Sequence, residues 1–299
     1  MTATTTASGG NGTVAADSSR LSAAHVWKLL KRRKQVAIGL CVLITLACLA
    51  LFAPWVCDAS PTAMHISHRL RAPGAQYWFG TDEFGRDLFT RVIYGGRVSL
   101  AVALLSVCFA CTFGVVLGVL SGFFSKLDGT LIKVIDAMMA FPEMLLAISL
   151  VSIFGPSVFN VVMALGIVYT PRIARVARAS TLVIRELPFV EAARALGVST
   201  PRILQRHILR NLTSPIIVQS TFLFAQAILA ESGLSFLGVG VSPDVPTWGT
   251  IISAGQQYSR EASWIMLFPG LAIAAAVFSL QLVGDSLRDL LDPKLLKDL

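Results

Sequence analysis

Long apolar runs alternate with polar stretches along this chain, and their lengths predict six membrane-crossing helices. The first run covers residues 36–57, about 33 Å as a helix, enough for a bilayer core of about 30 Å. Further runs cover 98–124, 131–154, 158–174, 216–241 and 264–283. Between the first two lies a polar segment, 58–97, in which Gly80, Gly85 and clustered acids predict a tight turn. A short amphipathic helix carrying Leu88, Val92 and Ile93 is expected to follow. Residues 125–129 and Gly155-Pro156 read as turns, and 242–263 as a loop containing Pro243, Pro246 and Trp248. Gly114, Gly118 and Gly122 stand four apart in the second run, the spacing that lets two helix backbones approach closely.

The polar island at 185–215 interrupts the apolar pattern most sharply. Pro188 suits a first helical turn, so a short helix is predicted to run from there to Leu196. Gly197 follows as a left-handed terminator. Thr200 before Pro201 is read as the N-cap of a second helix reaching about Leu209. Ala192 and Ala193 are expected to leave a small-side-chain surface open to close approach. Arg202, Arg206 and Arg210 fall four apart on one face. On charge alone, arginines beside lipid phosphates explain that face as well as a protein partner does.

Composition fixes the class. Of 299 residues, 55% are hydrophobic and 14% charged, with a mean hydropathy of +0.70, too apolar for an ordinary soluble domain. The formal charge of +8 does not point to nucleic acid, because no basic surface interleaved with aromatics lies outside the island. It fits the positive-inside pattern instead. Lys and Arg concentrate in the N-terminal segment, the turn after the second run, the island and the tail. Both termini and the island are therefore expected in the cytoplasm. Residues 1–35 read as a disordered, basic N-terminal segment, and the first run as an uncleaved helix rather than a signal peptide, since five more runs follow. Residues 286–299 read as a cytoplasmic tail. The five cysteines sit in or beside apolar runs, and Cys108 and Cys111 are read as packing residues.

No phosphate-cradling loop, metalloprotease helix, nucleophile elbow or Cys/His cluster at ligand spacing occurs in the sequence. The chain is expected to catalyse nothing itself and to bind no metal or cofactor. The acids at 82–87 lack EF-hand spacing. Three carboxylates inside apolar runs remain, Asp136, Glu143 and Glu231. Each must face the bundle interior or an aqueous path. Asp136, near Lys133, reads as structural, whereas Glu143 and Glu231 read either as holding helices together or as lining an aqueous path.

Three blocks of this sequence resemble one known family. Glu191-Ala192-Ala193, followed by Gly197 and Ile208, resembles the EAA loop of permeases in bacterial ABC importers. GTDEFGRDLFTRVIYGGRVSL and AILAESGLSFLGVGVSPDVPTWG resemble the C-type permease subunit of dipeptide and oligopeptide ABC importers. Where that branch usually reads HILPN, this chain has His207-Ile208-Leu209-Arg210-Asn211, which bears on the exit angle of the second loop helix. The resemblance covers residues 79–292. It implies an all-α polytopic membrane protein with six transmembrane helices and the type I, MetI-like importer fold, with residues 98–285 as the core permease domain. It also implies a heterodimer with a B-type permease, two cytoplasmic ATPase subunits that hold the ATP and Mg, and an extracytoplasmic substrate-binding protein. Glu191, Ala192, Ala193, Gly197, Arg202, Arg206 and Ile208 are then the residues coupling to the ATPases. Nickel-chelate and glutathione importers share these motifs. A proton-coupled secondary transporter would be the rival class, but no inverted repeat is evident and it would need no structured loop.

Overall fold

The computed structural model describes residues 34–57 and 59–291 of the chain. The expectations for most of the N-terminal segment and for the end of the tail lie outside the described residues. The described helices are α1 (Lys34–Leu51), α2 (Ala53–Val56), α3 (Leu88–Phe123), α4 (Ser125–Met139), α5 (Glu143–Phe154), α6 (Val158–Ile184), α7 (Pro188–Ala195), α8 (Thr200–Ile203), α9 (Arg210–Phe236), α10 (Trp248–Gly255) and α11 (Trp264–Leu291). A π-helical turn, Leu204–Leu209, joins α8 to α9.

The most extensive packing is between α3 and α6, and the glycine ladder is its cause. A Cβ at Gly114 would lie 2.7 Å from the Ile173 side chain, and one at Gly118 would lie 2.4 Å from the Ala174 carbonyl oxygen. Gly122 meets Thr181 in the same register, so the two helices run parallel with backbones nearly touching. The return between them is made by α4 and α5. Helix α9 packs on α3, α6 and α11, while α1 lies against α11 and α3. Loops 59–87 and 237–263 gather at one end, hereafter the cap end. Residues 185–209 close the other, the loop end.

By length and apolarity, α3, the α8–α9 rod and α11 can each cross a membrane. The pair α4–α5 adds a fourth crossing if its two bent halves count as one. Helix α1 is apolar but shorter, and α6, 27 residues long, carries Arg172, Arg175 and Arg178 in its second half.

Several sequence-based boundaries change: residues 125–129, read as a turn, open α4, and the run read as ending at 174 continues as α6 to Ile184. No separate amphipathic helix precedes the second run, because α3 is one helix of 36 residues starting at Leu88. Asp87 caps it, its carboxylate accepting from the Thr90 amide at 3.0 Å and the Thr90 hydroxyl at 2.6 Å. The run 131–154 is not one helix. It bends by 90° between Met139 and Glu143, since Pro142 lacks the N–H a continuing helix needs and disfavours helical geometry at Phe141. The second loop helix does not end near Leu209. Arg210 is helical (φ −62°, ψ −37°), and α9 continues through Pro215. With arginine where the family usually has proline, nothing breaks the rod at its base.

Candidate functional site

The loop end is built on its own apolar cluster. Val190 and Ala193 from α7, Ile203 from α8, and Ile208 and Leu212 from the rod pack against Val119 and Ile184, the inner ends of α3 and α6. Helix α7 has Pro188 in its first turn. It closes in the Schellman pattern: the Val198 amide donates to the Ala193 carbonyl and the Gly197 amide to the Arg194 carbonyl, both at 3.0 Å. Gly197 has φ +74°, the left-handed conformation its position calls for. Ser199, not Thr200, occupies the N-cap position of α8, and no side chain caps that helix.

Burial divides the predicted coupling residues. Ala193 and Ile208 face inward and root the loop, whereas Glu191, Ala192, Arg202 and Arg206 are exposed. The small-side-chain surface expected of both alanines is therefore offered by Ala192 alone. Around it the loop exposes Leu187, Phe189 and Leu196, the last 83% exposed. A Cβ at Gly197 meets no described atom within 4 Å. The Arg194 guanidinium lies 5.2 Å over the Phe123 ring, and Arg185 donates to the Gly122 carbonyl at 2.8 Å. The helical pair is thus fixed from below to α3, α6 and α9 and exposes both apolar and charged side chains above.

The intramembrane carboxylates separate into two kinds. Glu231 is fully enclosed. Ser99 on α3 donates to one oxygen at 2.8 Å, and Ser235 on α9 donates to the other at 2.9 Å. The Trp248 amide donates in turn to the Ser99 hydroxyl at 3.2 Å. Glu231 thus ties α3, α9 and α10 together at the cap end. Asp136 accepts from Arg175 at 2.7 Å, not from Lys133, and Glu143 accepts from Arg172. Asp128, outside the sequence-based candidates, accepts two bonds from Arg178 at 2.6 and 2.7 Å. The three-residue spacing of the arginines is visible in the sequence, but their partners lie 29, 39 and 50 positions away.

At the cap end the acids at 82–87 are spent on structure. Asp82 is buried and accepts from the Phe84 and Arg86 amides at 2.9 Å and from Arg86 Nε at 2.6 Å. Arg91 Nε lies 3.3 Å from the same carboxylate. Cys111 bonds Ser220 at 3.0 Å rather than turning to Cys108. Among the described residues no group of three or more His, Cys, Asp or Glu is placed to hold a metal ion.

Apolar helices packed through glycines, carrying one rooted helical projection, define an all-helical polytopic membrane protein. Residues 114–297 match the model of the binding-protein-dependent transport system inner membrane component, and residues 23–73 match the N-terminal TM domain of oligopeptide transport permease C. The chain belongs to the family of binding-protein-dependent transport system inner membrane components, the permease subunits of ABC importers. A peptide transport system permease protein of Brucella suis biovar 1 is 46% identical over 266 residues, covering 89% of this chain and 90% of that protein. A dipeptide transport system permease protein of Alkalihalophilus pseudofirmus is 42% identical over 272 residues, 91% and 90% of the two chains. An inward-facing structure of the MetNI methionine ABC transporter superposes with a TM-score of 0.57 at 18% identity, covering 69% of this chain and 98% of that one. It shows the same fold.

Proposed function

We propose that this chain is one half of the translocation path of an ATP-driven importer of di- and oligopeptides, pairing with a B-type permease. The names of its relatives support the peptide substrate. The chain itself catalyses nothing in this reading. Two cytoplasmic ATPases bind ATP and Mg, and an extracytoplasmic binding protein delivers the solute. The carrying observation is the loop end, where exposed Leu187, Phe189 and Leu196 surround a left-handed glycine open to a partner. Closure of the ATPases displaces α7. Because Val190, Ala193 and Ile208 are packed on Val119 and Ile184, that displacement reaches α3, α6 and the α8–α9 rod as rigid elements. The six passes then run with both termini and the loop in the cytoplasm, as the distribution of Lys and Arg supports.

The test is uptake of labelled alanyl-alanine in proteoliposomes by the complex of both permeases and both ATPases supplied with the binding protein, whose bound ligand is identified alongside. ATP-dependent accumulation is the expected result. A binding protein that carries a nickel chelate, with no dipeptide uptake, would overturn the peptide reading. For orientation, a reporter active only in the cytoplasm should work at Thr200 and be silent at Gln257, and the reverse pattern would contradict the topology.

A further inference from the structure

Two of the three ion pairs along α6 are exposed on the flank of the bundle. Arg172 and Glu143 are 32% and 42% exposed in their side chains, and Arg175 and Asp136 are 51% and 54% exposed. Arg172 also donates to the Gln226 amide oxygen on α9. At 1.5 Å per residue, Glu143, Arg172 and Gln226 lie about 15–21 Å from the cap-end termini of α5, α6 and α9, roughly mid-depth in a bilayer. Charges at that depth are not tolerated against hydrocarbon, so this flank faces protein or water. A cavity of about 260 Å³ opens beside the pair, lined by Glu143, Tyr169, Gln226 and apolar side chains. That is just below the usual range for a small-ligand site. Pro142 and the 90° break place Glu143 at the start of α5 rather than inside a straight helix.

We propose that Glu143, Arg172 and Gln226 form a contact site in the translocation path for solutes carrying a free α-ammonium and a free α-carboxylate. Asp136 and Arg175 repeat the pair one step nearer the loop end. The ammonium replaces Arg172 on Glu143, the solute carboxylate takes the guanidinium, and Gln226 supplies a neutral hydrogen-bonding partner. Each solute charge is thus exchanged for one already present, so neither protein charge is left unpaired at mid-depth. This rests on the peptide-import reading above.

Two experiments on the reconstituted complex test it. The first compares uptake of alanyl-alanine with uptake of its C-terminal amide and of its N-acetyl form. Wild type and variants receive solute from the same binding protein, so a changed ratio belongs to the permease. Arg172→Gln should reduce the preference for the free carboxylate about tenfold, and Glu143→Gln the preference for the free ammonium by a similar factor. Equal slowing of all three solutes, or full recovery in the Glu143→Arg, Arg172→Glu double variant, would make the pair a brace and overturn the proposal. Absence of alanyl-alanine uptake by wild type would instead overturn the peptide reading, and the proposal with it. The second experiment follows reaction of Gln226→Cys with a charged methanethiosulfonate by peptide mapping. The exposed native Cys108 serves as internal reference. Labelling about tenfold faster than Cys108 is expected, and labelling no faster than Cys108 would contradict an aqueous wall.

Discussion

Gly85 and Gly197 share a left-handed backbone, φ +71° and +74°, at opposite ends of the bundle, yet their surroundings have nothing in common. A Cβ on Gly85 would fall 1.9 Å from the His65 carbonyl oxygen, whereas one on Gly197 would meet no described atom within 4 Å. The cap end is closed upon itself. Thr81 is buried and bonded by the Trp264 indole at 3.2 Å, Asp82 is surrounded by donors, and the Trp248 indole donates to the Val92 carbonyl at 3.0 Å. The loop end is packed beneath and bare above. One end therefore works as a clamp that keeps helix ends in register, and the other leaves an uncovered surface, which the proposed function assigns to the ATPases.

Substitutions at the two ends should fail in different ways. Gly85→Ala carries the largest expected effect, more than ~3 kcal/mol, because backbone strain adds to a clash with a carbonyl that cannot move freely. Loss of the monodisperse permease peak in detergent chromatography checks it. A stable, assembled Gly85→Ala protein would show that the cap end is softer than its contacts imply. Glu231→Ala comes next, at about 2 kcal/mol, since the Ser99 and Ser235 hydroxyls lose a buried acceptor. A fall in the unfolding temperature of the purified permease reads this out, with Glu231→Gln keeping part of the stability. An unchanged temperature would free Glu231 from its clamping role. Gly197→Ala should cost only about 1 kcal/mol of backbone strain, leaving expression and pairing with the second permease close to wild type. Glu191→Lys should have the smallest effect. It reverses a charge favourable near a helix start without moving backbone, and a modest loss of stimulated ATP hydrolysis is expected with normal expression.

Much of the loop end is legible from the sequence because its signals are local. Pro188 and Gly197 act within one turn of themselves, and both sit where the sequence places them. The inward turn of Ala193 and Ile208 is not local, since it depends on Val119 and Ile184 from distant helices. At the start of α3, Gly95 and Gly96 leave room for another segment that is distant in the sequence. A Cβ at Gly96 would lie 2.8 Å from the Trp248 ring, and the helix passes through both without a break. Pro142 has the opposite history. A proline inside an apolar run is often tolerated, but here Pro142 turns the chain, and Glu143 just after it is held by Arg172 on the neighbouring α6. The ion pairs were half legible: three arginines at helical spacing can be read directly, but carboxylates on a bent return helix cannot be assigned to them by counting.

The central claim is that the loop end receives the ATPases, and Gly197→Asp tests it most directly. The position lies outside the apolar core and nothing crowds it, so the variant should insert and pair with its membrane partner. A charged side chain projecting from a strained backbone should block docking. Measured in the reconstituted complex, binding-protein-stimulated ATP hydrolysis and dipeptide uptake should both be lost, with the two permease subunits still co-purifying. Stimulated hydrolysis and uptake at wild-type rates in Gly197→Asp would contradict the account, because transmission would then have to enter the bundle elsewhere.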